Sequence, residues 1–362
     1  MRPEWPLSRR HGSRGWLIGS PWRCLFATVR AVRTRGGVRL SLLAANHFVL
    51  DSLRSLNRRM GGAPSRSRPD CIRDVDVAAS AIRELLAGPG PAMIARFGSS
   101  ELQCLVNHAG VTATKHRVLD YIRGRAPPWW WDRKLLRRMN RNAGLFPATE
   151  DALRQFSERM MADLPLLDVL GSWLPDETLF ESMIGHATKV DLELLNPFFA
   201  QHPWTEALAG KRVLVVHPFA RTIESQYRKR TQLFDREILP QFELMTIRAV
   251  QSIAGETTRF ESWFDALRSM EEAMDQHDYD VCLVGCGAYG FPLAAHAKRR
   301  GRKAVHLGGS LQLLFGIRGR RWESPQYSAD YDYSRLMNEH WVRPADEERP
   351  RDAGQVEGAC YW

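Results

Sequence analysis

Val281-Cys282-Leu283-Val284-Gly285-Cys286-Gly287-Ala288-Tyr289-Gly290-Phe291-Pro292 is the stretch on which the fold turns. Four apolar residues read as a buried strand. A Gly-x-Gly-x-x-Gly turn follows, and Pro292 suits the first turn of a helix, where its missing N–H costs nothing. Glycines in such a turn let the backbone bend sharply and approach a phosphate. The helix N-terminus then offers free N–H groups and the positive end of its dipole.

Reading outward, residues 303–307 form the next strand, closed by a second glycine turn, Gly308-Gly309-Ser310. Upstream, residues 211–216 are a buried-strand run ending at His217-Pro218-Phe219. A helix over 223–234, a strand within 242–253, a loop at Gly255-Glu256-Thr257-Thr258 and an amphipathic helix over 260–276 come between. Strands alternating with helices at this spacing predict an α/β fold, with a Rossmann-like, mostly parallel sheet and helices on both faces. Earlier, residues 74–86 have helical spacing and residues 92–97 form a short apolar strand. Gly98-Ser99-Ser100 turns the chain into a helix beginning at Glu101. Residues 125–165 read as a helical middle segment, entered through Pro127-Pro128-Trp129-Trp130-Trp131. Residues 166–200 alternate apolar and acidic positions and yield no clear element.

The 362 residues, 44% of them hydrophobic, are enough to bury a core. The net charge of +10 is uneven: residues 1–40 hold nine Arg against Glu4, a balance of +8, which leaves +2 for the remainder. We therefore expect three parts. Residues 1–70 are a basic, disordered arm and linker without sustained periodicity, 71–323 are the folded domain (its Rossmann-like half about 205–323), and 324–362 are a polar, partly ordered tail. The arm suits peripheral contact with the anionic inner face of a membrane. The near-balanced body argues against a nucleic-acid binder. No apolar run approaches the roughly 20 residues of a spanning helix. The six Cys contain no Cys-x-x-Cys pair, which fits a reducing cytoplasm, with Cys282 and Cys286 acting as small apolar residues.

On the residues alone, the candidate ligand contacts gather at strand ends, where open α/β sheets bind ligands. Gly285, Gly287, Tyr289 and Gly290 make the first turn, and Gly308 and Gly309 the second. His217 could bind phosphate or move a proton, and Arg221 follows closely on the next helix. Arg96 ends an apolar strand and needs a partner or a ligand. Gly98 and Ser99 lead into Glu101, which is placed to act as a base, to bind metal or simply to complement the helix dipole. A dinucleotide dehydrogenase would carry an acid at the end of the strand after the glycine turn. Here that strand ends His306-Leu307, which disfavours NAD.

Arg96-Phe97-Gly98-Ser99-Ser100-Glu101 resembles the Arg-Phe-Gly-Asp-Gly-Glu segment of bacterial GT-D-fold glycosyltransferases, and Gly285–Gly290 with 303–309 resembles that fold's C-terminal Rossmann-like half. Asn142-Ala143-Gly144-Leu145-Phe146-Pro147, Gly171-Ser172-Trp173, His217-Pro218-Phe219 and Gly308-Gly309 through Leu314-Phe315-Gly316 extend the resemblance over roughly 75–323 to a group of GT-D-like bacterial proteins. It implies transfer of a sugar from a nucleoside diphosphate sugar to a glycan or glycoconjugate acceptor. The family's Asp-x-Glu motif handles a divalent metal, Mn²⁺ or Mg²⁺, and the diphosphate. Its Asp falls on Ser99 and its Glu on Glu101, so one carboxylate is missing, and a hydroxyl is a poor substitute toward such a metal. Arg96, His217 and Glu101 are then the expected catalytic groups, with Trp129–Trp131 as an aromatic face for an acceptor sugar or as ordinary packing. The alternatives are a non-catalytic nucleotide or sugar-phosphate binding module and an NAD-dependent oxidoreductase.

Overall fold

A computed structural model describes residues 39–62, 67–253, 258–349 and 361–362. The arm's residues 1–38 and most of the 255–258 loop lie outside them. In chain order the elements are α1 (Arg39–Arg59), α2 (Val75–Ala87), β1 (Ala92–Arg96), α3 (Ser99–Val111), α4 (Val118–Ile122), α5 (Arg133–Ala143), α6 (Glu150–Asp163), β2 (Val169–Ser172), α7 (Glu181–Ile184), β3 (Thr188–Asp191), β4 (Arg212–His217), α8 (Ala220–Tyr227), β5 (Glu243–Arg248), α9 (Trp263–Asp275), β6 (Val281–Val284), α10 (Gly290–Arg299), β7 (Lys303–His306) and α11 (Leu311–Leu314). The chain divides into two units, Met1–Leu53 and Arg54–Trp362. What the structure describes of the first is the early part of α1. That helix corrects the placing of residues 39–59 in a disordered arm. No Gly or Pro interrupts Arg39–Arg59, and its Leu, Ala and Arg residues are good helix formers.

The second unit is built on one seven-stranded sheet of order β3-β2-β1-β7-β6-β4-β5. All six pairings are parallel. Successive side chains go to opposite faces, as the two-residue period of a strand requires. Met93, Ala95, Leu214, Val216, Cys282 and Val284 join one apolar layer with α3, α5, α6, α9 and α10. Ile94, Val213, Val215, Val281, Leu283 and Val305 join the other with α2, α8 and α11. The fold is therefore Rossmann-like α/β, with both sheet faces covered, and such strands read as continuous apolar runs rather than alternating ones. β2 and β3, which the sequence left without an assignment, are only four residues long, and β3 carries Thr188, Lys189 and Asp191.

The described part of the tail, residues 324–349 and 361–362, packs on the domain. Tyr333, Trp341 and Trp362 are buried in the second apolar layer, and Trp341 Nε1 donates to the Leu233 carbonyl at 2.8 Å. Glu348, fully buried, accepts from the backbone N–H groups of Arg221 (2.8 Å) and Thr222 (3.3 Å) and from the Thr222 hydroxyl. It caps α8 from far along the chain, satisfying donors that a helix start always leaves open. The polar composition of 324–349 hid a few well-spaced aromatics that find the core. Glu348→Ala is expected to lower stability by about 1–3 kcal/mol, because buried donors lose a charged acceptor, with Glu348→Gln intermediate. Urea unfolding of the three proteins checks this.

Candidate functional site

The C-terminal ends of β1, β7, β6 and β4 open into a cleft of about 450 Å³. From β1 the chain adds β2 and β3 on one side, while β7, β6, β4 and β5 fill the other. Connections thus diverge at this rim, the place where open parallel sheets leave a crevice. Arg96, Gly98, Ser99, Glu101, His217, Gly285, Gly287, Tyr289, Gly308 and Gly309, all anticipated from sequence, line it.

Two anticipated residues do not. Arg221 pairs with Glu347 at 2.7 Å on an exposed surface, and its backbone N–H is taken by Glu348. Gly290 lies beneath the ring of His306: a Cβ there would meet Cε1 at 2.0 Å and Nδ1 at 2.2 Å. Its role is close helix–strand contact, which a glycine permits and a side chain would break. Trp129–Trp131 are also absent from the cleft lining. Trp129 packs on His116 (5.1 Å), Tyr121 (5.6 Å) and Trp130 (5.1 Å), and Asn107 holds the Pro128 and Trp130 carbonyls.

The other glycines serve geometry directly. Gly287 and Gly308 have φ of +59° and +65°, where side chains are strained. At Gly285 a Cβ would sit 2.7 Å from the Gly308 carbonyl and from His217 Cδ2. The two glycine turns therefore touch. Gly98 N-caps α3, and the Glu101 carboxylate folds back into the space its side chain would fill, with Oε2 2.0 Å from such a Cβ. Glu101 thus lines the cleft and lies in the first turn of α3, where an acid complements the helix dipole.

Arg96, together with Arg321, brings positive charge to the cleft lining. Its guanidinium carbon lies 5.4 Å from the Trp173 ring centroid, and a Cβ on Gly308 would come within 3.0 Å of Nη1. Its Nε is buried with no hydrogen-bond partner among the described residues. Trp173 is itself positioned. Its indole N–H donates to the Phe97 carbonyl at 3.0 Å, and its backbone N–H donates to Glu177, fully buried, at 3.0 Å. Glu177 also accepts from Leu174 N at 3.0 Å and from the Ser172 hydroxyl. Glu177→Ala is expected to cost about 2–3 kcal/mol in urea unfolding, since three donors lose one charged acceptor. It should also quench or shift the Trp173 component of intrinsic fluorescence.

Two imidazoles face the cleft in opposite tautomers. His217 Nδ1 accepts from Phe219 N–H at 3.0 Å, so the proton sits on Nε2, which has no partner among the described residues. His306 Nδ1 lies 3.3 Å from the Val284 carbonyl and must donate to it, leaving Nε2 as a bare acceptor. Burial holds the His217 pKa down to about 3. Burial, reinforced by the Arg96 charge, holds His306 down to about 3. One neutral ring therefore offers a donor and the other an acceptor.

His306, Glu193 and Trp173 were not picked from sequence as site residues. Glu193 receives the Tyr333 hydroxyl hydrogen, and burial raises its pKa despite that bond and the Arg96 charge. Its signal was latent in Asp191-Leu192-Glu193, an acidic run at the C-terminal end of a strand too short to identify. His306 directly precedes Leu307 and the second glycine turn, the position where an acid was sought. Among the described residues no group of three or more His, Cys, Asp or Glu side chains is arranged to hold a metal. Ser99 supplies only a hydroxyl beside Glu101, so the donor set does not fit the Mn²⁺ or Mg²⁺ of an Asp-x-Glu motif. No family model matches the chain, and neither a curated protein nor a solved structure matches it.

Proposed function

We propose that the protein is a GT-D-like glycosyltransferase that moves a sugar from a nucleoside diphosphate sugar to a glycan or glycoconjugate acceptor. The observation that carries this reading is the convergence of two touching glycine turns, Arg96 and Glu101 on one rim of the sheet. The two glycine turns suit a diphosphate. Arg96 and the Nε2–H of His217 supply positive charge and a hydrogen bond to the diphosphate as it leaves. The bond between the anomeric carbon and the diphosphate oxygen breaks, a bond from the acceptor oxygen forms, and Glu101 takes the acceptor proton. His306 and Glu193 offer acceptors to sugar hydroxyls. No step is assigned to a metal.

Calorimetry with UDP, GDP, CMP, their sugar conjugates and NAD, each with and without Mn²⁺, tests the reading. A nucleoside diphosphate that binds without metal and raises the melting temperature supports it. Stabilisation by NAD alone makes the glycine turn a dinucleotide site. Silence across the panel leaves the cleft a structural feature.

A further inference from the structure

Outside residues 1–40 the chain is nearly balanced at +2, but this balance hides a strong polarity. Residues 115–141 hold nine Lys and Arg against Asp120 and Asp132, a balance of +7, so the rest of 41–362 carries −5. All nine basic side chains are exposed. The periodicity of α5 explains the arrangement on that helix: Leu135 and Met139 enter the core, and Arg133, Lys134, Arg137 and Arg138 occupy the opposite side.

Several arginines elsewhere are neutralised by carboxylates. Arg154 holds Asp151 at 2.6 Å and Glu158 at 2.7 Å, and Arg212 holds Asp280 at 2.8 Å. On the α4–α5 surface Arg117 meets Asp120 at 3.7 Å. Arg123, Arg125, Arg133, Lys134, Arg137 and Arg138 have no ion pair among the described residues. Apolar groups sit in the same field. Val118 is 45% and Leu119 53% exposed on α4, beside the half-buried Trp129 and Trp130, whose rings pack on Tyr121 of that helix.

We propose that this α4–α5 surface docks on an anionic lipid bilayer. Unpaired Lys and Arg side chains are drawn to acidic headgroups, while Trp and exposed aliphatic side chains gain by entering the interface. A nucleic acid would satisfy the charges but offers Val118 and Leu119 no apolar medium. Asn142, on the same helix as the basic stripe, lines the cleft, so docking here brings the cleft rim near the membrane. The proposal stands whether or not the cleft transfers a sugar.

The test is flotation of the full-length protein with vesicles of mixed phosphatidylglycerol and phosphatidylcholine, and with phosphatidylcholine alone. The variants are R133E/R137E/R138E, L119S and, for the arm, R30E/R33E/R35E. The wild type is expected to float with the mixed vesicles only. The α5 reversal should lower partitioning about tenfold or more, and L119S by a smaller factor that persists at high salt, with melting temperatures unchanged in both. The arm reversal should have the lesser effect of the two charge reversals. Three results would overturn the proposal: absent flotation of the wild type, wild-type partitioning by the α5 reversal or L119S, or binding of poly-U RNA in place of vesicles.

Discussion

Replacing Arg96 with Met is expected to raise the Kd for the nucleoside diphosphate about 10–100-fold, equivalent to roughly 1.5–3 kcal/mol for a lost charge-assisted hydrogen bond. Turnover should fall about 10²–10³-fold, the usual effect of removing one preorganised group aimed at developing charge. The argument rests on what the guanidinium lacks as well as on what it touches. Nε is buried without a partner, Trp173 lies against its face, and Gly308 keeps the space beside Nη1 open. A half-buried cation whose Nε has no partner is only partly compensated by Glu193 until a ligand anion arrives. Met keeps the apolar stem and removes the partly compensated charge. Arg96→Met should therefore lose ligand binding while its urea stability stays equal to or above that of the wild type. A fall in both together would make Arg96 a structural residue. Isothermal calorimetry and urea unfolding on the same preparations separate the two outcomes.

Acid should weaken the fold steeply. His217 and His306 have folded pKa values of about 3 against an ordinary 6.5. Between those values the unfolded chain binds protons that the folded chain refuses. Their contribution is fully present above pH 6.5 and is lost as pH falls toward 3. Each imidazole accounts for about 1.4 kcal/mol per pH unit in that window, so the pair gives about 2.7. Asp163 and Glu193, raised by burial, bind protons more readily when folded and act in the opposite direction at lower pH. Comparison of His217→Gln with the wild type isolates the imidazole: its slope in urea stability between pH 6.5 and 4.5 should be shallower by about 1.4 kcal/mol per pH unit. Equal slopes would mean that the His217 ring is charged in the fold, and its tautomer assignment would fail with it.

The legible parts of this molecule are those whose cause is local. β4, β6 and β7 announce themselves as apolar runs ending in glycine or histidine. Their glycine turns can be read because tight bends and close approaches demand the absence of a side chain. Gly290 shows where that reading stops. A glycine required by a buried ring looks, in one dimension, like a glycine required by a phosphate. Arg221 failed for a related reason: closeness along the chain to His217 did not anticipate that Glu347 and Glu348 would claim it. Glu193 and His306 depend on which strands become neighbours. Charge was misjudged by averaging, since +2 over the body conceals the +7 of residues 115–141.

The position of β1 has a consequence for how the chain acquires its shape. Ala92 pairs with Lys303 and Ile94 with Val305, so the middle of the sheet joins segments made early and late in synthesis. At translation rates of about 5–20 residues per second, β1 waits on the order of ten seconds or longer for β7 to emerge. Until then one edge of β1 is open and the cleft does not exist, because Arg96 and Gly308 belong to opposite sides of that last seam. A ribosome-bound chain halted before β7 would present an unpaired apolar strand, the kind of edge that chaperones shield and that aggregates recruit.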